Sequence, residues 1–155
     1  MRLKCVSPVS LDVAKYILAH FDSVGSPITN LKLQKLVYYS QAWALAIHDE
    51  PLFTEEIEAW VHGPVTPSVF KEYREFRWNP ITGSFDNQVS SKKAKHIDSV
   101  LEVYGNLDAG ALERLTHSER PWLDARGNLP PDVSSHAIIT QSSMKAFYKT
   151  RLADG

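Results

Sequence analysis

The chain has 155 residues with 17 basic and 18 acidic side chains, a net charge of -1, and 43% hydrophobic against 23% charged residues. A chain this long buries about 70% of the surface its unfolded form exposes, so residues 1–155 are expected to form one folded domain and disorder of the whole chain is excluded. Charge this close to neutral supplies no field to hold a phosphate backbone, which sets nonspecific nucleic-acid binding aside.

From the N-terminus, residues 1–10 carry Arg2 and Lys4 but no apolar h-region, and no later apolar run is long enough to cross a bilayer. Neither secretion nor membrane insertion is expected. The single cysteine, Cys5, can form neither an internal disulfide nor a cysteine-based zinc site, which points to a reducing compartment, the cytoplasm. Val13, Ala14, Ile17, Leu18 and Phe21 recur at helical spacing after Ser10, predicting a first helix that ends near Gly25.

Ser26-Pro27 breaks the chain and Thr29 is placed to cap a second helix reaching about His48. Leu31, Leu33, Leu36, Val37, Tyr39, Ala42, Trp43 and Ala46 make that helix apolar around most of its circumference, so it belongs at the centre of the fold. Asn30, Gln34, Gln41 and His48 project within about 40° of one another at about 100° per residue. This polar stripe needs hydrogen-bonding partners.

Ile57-Glu58-Ala59-Trp60-Val61 reads as a short strand stopped by a His62-Gly63-Pro64 turn, with Thr66 and Pro67 opening a third helix through Val69, Phe70, Tyr73 and Phe76. Residues 78–89 are turn-rich and predict a loop or a poorly formed hairpin. A fourth helix spans about residues 91–104, with Gly105 as a left-handed stop, and Asp108 caps a fifth containing Leu112 and Leu115. Ser118 is expected to cap a sixth around Pro121, Trp122 and Leu123, closed by Gly127. Thr140 precedes a last amphipathic helix over about residues 140–152 carrying Met144, Phe147, Tyr148 and Leu152. The expected fold class is therefore α+β, predominantly α-helical, with about six or seven helices and a small antiparallel β-sheet or hairpin.

No phosphate-cradling glycine loop and no nucleophile elbow occur, and no two histidines stand at the i, i+4 spacing of a helical metal site. Neither a metal nor a cofactor is expected. His117, Ser118 and Asp124 are the residue types of a catalytic triad, but adjacent side chains rarely face each other, and capping explains Ser118 more simply. Entry into a tight turn is likewise sufficient to explain His62. Lys92, Lys93, Lys95 and His96 form a basic cluster without neighbouring aromatics, the pattern of a solvated helical face. Trp43, Trp60 and Trp122 are expected to be structural anchors.

The segment Leu33-Gln34-Lys35-Leu36-Val37-Tyr38-Tyr39-Ser40-Gln41-Ala42-Trp43 resembles the signature helix of the Panacea antitoxin-domain family, the SocA-like phage-associated proteins. Pro51-Leu52-Phe53 followed by Ile57-Glu58-Ala59-Trp60-Val61-His62-Gly63-Pro64-Val65 resembles its second block, and Leu115-Thr116-His117-Ser118-Glu119-Arg120-Pro121-Trp122 its third. The resemblance covers about residues 9–126 and is specific through the order of the blocks.

The resemblance implies an antitoxin, not an enzyme, that neutralises a cognate toxin by direct protein contact, the toxin being encoded by the adjacent gene. The alternatives are a proteolytic adaptor delivering the toxin to a protease and a nucleic-acid-binding transcriptional regulator. Near-neutral charge and the lack of a clear helix-turn-helix disfavour the regulator. The candidate partner-binding residues are His62, Gly63, Pro64, Gln34 and Gln41. For the two glutamines, internal bonds to neighbouring backbone are the simpler expectation on so apolar a helix. His62, at a proline-stiffened turn, is the stronger interface candidate.

Overall fold

A computed structural model describes residues 9–153, so Cys5 and all but the last two residues of the 1–10 segment lie outside the described residues. The axis of the fold is α2 (Asn30–His48), capped as expected by Thr29, whose hydroxyl accepts from the Lys32 amide at 3.2 Å. Its burial runs from Asn30 to Ala46 on almost every side, because the other helices pack around it. α1 (Val9–Ser23) contributes Val13, Ala14, Ile17, Leu18 and Phe21 to the core, the face that its spacing predicts. α7 (Gln141–Ala153) seats Met144 and Tyr148 in the core.

α3 (Pro67–Tyr73), extended by a 3-10 turn over Arg74–Phe76, and α4 (Ser91–Tyr104) form further walls, followed by α5 (Ala109–His117) and α6 (Arg120–Arg126). Residues 78–89 contain neither helix nor strand, yet Ile81 is buried there and its amide donates to the Ile28 carbonyl at 2.8 Å. Among the described residues seven α-helices accompany a three-stranded antiparallel sheet of order β2-β1-β3. The fold is α+β and predominantly helical. Among the described residues no helix is long and apolar enough to cross a membrane.

In the sheet, β1 (Ile57–Trp60) pairs with β2 (Gly63–Val65) on one side and β3 (Ile138–Ile139) on the other. Period-two alternation sends Ile57 and Ala59 into the core and leaves Glu58 and Trp60 on the opposite, half-buried face. Three local expectations are corrected. Gly63 and Pro64 lie in β2 rather than in the turn, which is only Val61-His62. Gly105 stays right-handed at φ -60 and its amide donates to Leu101, closing α4 without a left-handed residue. Ser118 ends α5 instead of starting α6, its hydroxyl donating to the Leu115 carbonyl at 2.7 Å; Glu119 is the N-cap position of α6.

Candidate partner-binding corner

The β1–β2 hairpin is pressed onto the helices at Gly63. This residue has φ +116, and a Cβ there would stand 2.7 Å from Lys35 Cε of α2 and 3.0 Å from Thr116 Oγ1 of α5. Glycine is required both by the backbone angle and by the close approach. Trp122 of α6 donates its indole N–H to the Trp60 carbonyl at 2.8 Å, and Arg126 donates to the Ala59 carbonyl at 3.1 Å. His117 stacks on Trp122 with centroids 4.0 Å apart and 17° between planes. Parts of all three sequence blocks therefore meet around one hairpin.

Both glutamines have their amides satisfied inside this frame. Gln34 accepts from the Thr66 amide at 2.9 Å and donates to Asn30 Oδ1 at 2.9 Å, while Asn30 donates to the Phe70 carbonyl. Gln41 accepts from the amides of Leu52 and Phe53 and donates to the Phe53 carbonyl at 2.8 Å, tying the loop after α2 to the core. Each is 1% exposed. His48, the last member of the stripe, is exposed.

His62 projects from the turn with its side chain 72% exposed and Nδ1 2.9 Å from Glu113 Oε1. Beside it, Leu31, Trp60, His62, Phe70 and His136 line a cavity of about 350 Å³. Trp60 meets Phe70 edge-on at 5.0 Å and His136 at 5.2 Å. Glu58 accepts from the Trp60 indole at 2.8 Å and lies 3.2 Å from His136 Nδ1.

Beneath the hairpin the polar groups are not all paired. Lys35 Nζ, Thr66 Oγ1 and His117 Nε2 are buried without a hydrogen-bond partner among the described residues. Lys35 is fully buried, and loss of hydration pulls its pKa from 10.5 to about 7, opposed by the Glu113 carboxylate. Burial also lowers the His117 pKa, with Glu113 acting against it and Lys35 reinforcing it.

Of the expected anchors, Trp122 is 3% exposed, whereas Trp43 and Trp60 are half-buried, each with its indole N–H donated, Trp43 to the Tyr104 hydroxyl at 2.8 Å. The largest fully buried side chains include Tyr38, Tyr39, Tyr148 and Lys35. His117, Ser118 and Asp124 are engaged separately, in a Trp122 stack, a Leu115 backbone bond and an ion pair with Arg120. Among the described residues no group of three or more histidine, cysteine or acidic side chains is placed to hold a metal ion. The basic cluster is also not uniformly solvated. Lys92 and Lys95 are exposed, but Lys93 donates to the Leu52 carbonyl at 2.9 Å, and His96 is buried with Nε2 2.9 Å from the Ser40 carbonyl.

Sequence reasoning missed Lys35, Glu58, Phe70, Glu113 and His136 at this corner. Lys35 carried a signal, because a lysine between Leu33 and Leu36 on a helix apolar around its circumference has no solvated side to occupy. The others did not, since α3, α5 and the segment before β3 meet the hairpin only in three dimensions.

Residues 33–123 match the family described as Antitoxin SocA-like, Panacea domain, and the chain belongs to that family. It is similar to "Antitoxin SocA" of Caulobacter vibrioides (strain NA1000 / CB15N), 39% identical over 67 residues that make up 41% of this chain and 36% of that protein. The similarity thus spans little more than a third of the relative's length. No solved structure matches the chain.

Proposed function

We propose that this protein is an antitoxin that neutralises a cognate toxin, encoded by the adjacent gene, by direct contact through the β1–β2 corner and without catalysis. The observation that carries the reading is His62, its side chain 72% exposed on a two-residue turn held on both sides: in β1 the Trp60 carbonyl accepts from Trp122 of α6, and just after β2 the Thr66 amide donates to Gln34 of α2. A turn held this way loses little conformational freedom when a partner closes over it. Family membership supports the antitoxin role, and the relative's name supports it independently of geometry.

The test is to co-express the chain with the neighbouring gene product. Restored growth together with co-purification of the two proteins is the expected result. Growth restored without a complex and with a shortened toxin half-life would favour the adaptor reading, and a promoter fragment retarded at physiological salt would favour the regulator.

A further inference from the structure

Lys35 lies beneath the turn of the β1–β2 hairpin with nothing to bond to. Its side chain is fully buried, and Nζ has no hydrogen-bond partner among the described residues. What covers the amine is Gly63, where an added Cβ would stand 2.7 Å from Lys35 Cε and 3.2 Å from Nζ. The cover is thin, because glycine brings no side chain, Val61 is half-buried and His62 is exposed. On either side the chain is held, at Trp60 by Trp122 and at Thr66 by Gln34, so the least anchored stretch over the amine is residues 61–63. The ionisable groups acting on the Lys35 site are Glu113 and His117 of α5, with His62 of the turn bonded to Glu113 at 2.9 Å. β2 contributes Gly63, Pro64 and Val65, none of which ionises.

We propose that the turn at residues 61–63 is a proton-operated latch, which lifts while the helices stay packed, uncovers the Lys35 amine and is drawn open when that amine takes up a proton. The proposal rests on the antitoxin reading for what the turn meets, and it adds how the presentation of the turn is regulated. Lifting gives the amine the water that it lacks when enclosed. It exposes little apolar surface and breaks one strand pair, Trp60 with Gly63, and the His62 contact to Glu113, which places it at the low-energy end of local opening. Burial pulls the pKa of the enclosed amine from 10.5 to about 7, whereas an uncovered lysine keeps the ordinary value. Lifting therefore takes up a proton between about pH 7 and 10.5, and becomes about tenfold more favourable for each unit of acidification in that window, levelling off below it. The seated turn is the form the partner meets, and acidification towards neutral draws molecules away from it.

The test is hydrogen exchange of the full chain between pH 7 and pH 9, read by NMR at the Trp60 and Gly63 amides in the native sequence and in Lys35→Met. Hydroxide-catalysed exchange of an exposed amide speeds up about tenfold per pH unit. In the native chain the falling population of the lifted turn should cancel that rise, so that both amides exchange at a nearly pH-independent rate, faster than the buried amides of α2. In Lys35→Met the same amides should follow hydroxide, about tenfold per unit. A rise of that size in the native chain as well would overturn the latch. So would exchange at Trp60 and Gly63 no faster than at Tyr38 and Tyr39, since the turn would then open only when the whole chain unfolds. The native profile decides the matter without the variant. No toxin is needed either, so failure to find a complex with the neighbouring gene product would count against the antitoxin reading alone.

Discussion

Two buried polar clusters in this molecule have opposite characters. Where α2, α6 and α7 meet, Glu119 accepts from Tyr39 at 2.7 Å and from Tyr148 at 2.9 Å, and Tyr148 lies 3.0 Å from the Tyr38 hydroxyl. Tyr39 stacks on Tyr104, centroids 4.0 Å apart, and Tyr104 accepts from Trp43. Every hydroxyl named there has a partner. Beneath the β1–β2 hairpin, Lys35 Nζ, Thr66 Oγ1 and His117 Nε2 have none among the described residues. A satisfied network strengthens a fold and specifies one packing, whereas unpaired buried groups subtract from stability and are commonest where function constrains sequence. The tyrosine–glutamate cluster reads as the clamp of the fold, and the hairpin corner as the place where stability is given up.

Breaking the clamp should have the largest effect. Glu119→Ala removes the acceptor of two buried hydroxyls and is expected to cost about 3 kcal/mol, lowering Tm by roughly 10 °C in a calorimetric melt. A change of less than about 1 kcal/mol would show that the cluster is not what holds α7 to α2.

At the other cluster the expected sign is reversed. Lys35→Met keeps the length of the side chain and removes the unpaired amine, so it should stabilise the chain by about 2 kcal/mol. Its pH dependence sharpens the contrast. Between about pH 7 and the ordinary 10.5, Lys35 is neutral in the folded chain and protonated in the unfolded one. Unfolding therefore takes up a proton in that window, and the stability of the native sequence should rise with pH across it. The burial-lowered pKa values of His96 and His117 act in the same direction at lower pH, as stability is lost on acidification through the ordinary histidine range. Melting curves at pH 7 and pH 9 should separate for the native chain more than for Lys35→Met; equal separation would mean that the amine is not what titrates.

The smallest effect on stability is expected at the exposed edge of the corner. His62→Ala should leave the unfolding free energy unchanged within about 0.5 kcal/mol, as at ordinary surface sites, while weakening toxin affinity in a binding isotherm. Normal affinity in that variant would remove the turn from the interface.

Helix positions and two of the caps were legible because they depend on neighbours a few residues away: Thr29 and Asp108 cap where their sequence places them, and α4 spans Ser91–Tyr104 as its periodicity indicates, whereas Ser118 ends α5 instead of capping α6. The central position of α2 could also be read, since a helix apolar on all sides must be enclosed. β3, two residues long, could not be read, because so short a strand carries no periodicity and exists only through pairing with Ile57 and Glu58. His96 looked like part of a basic face and is instead buried against Ser40, an outcome set by how α4 packs on α2.

At the candidate site the same division holds. His62, Gly63, Pro64 and the amides of Gln34 and Gln41 stood out as sequence, through turn chemistry and through polar groups on an apolar rod. Whether those amides turned inward was decided only when the Thr66, Leu52 and Phe53 amides arrived beside them. The pairing of His62 with Glu113 and of His136 with Glu58 likewise joins residues 51 and 78 positions apart. Local backbone chemistry wrote the helices and the caps at Thr29 and Asp108 into the sequence. Tertiary packing alone decided which polar groups found partners and which were buried without them, because hydrogen bonding and desolvation depend on atoms brought together from distant parts of the chain.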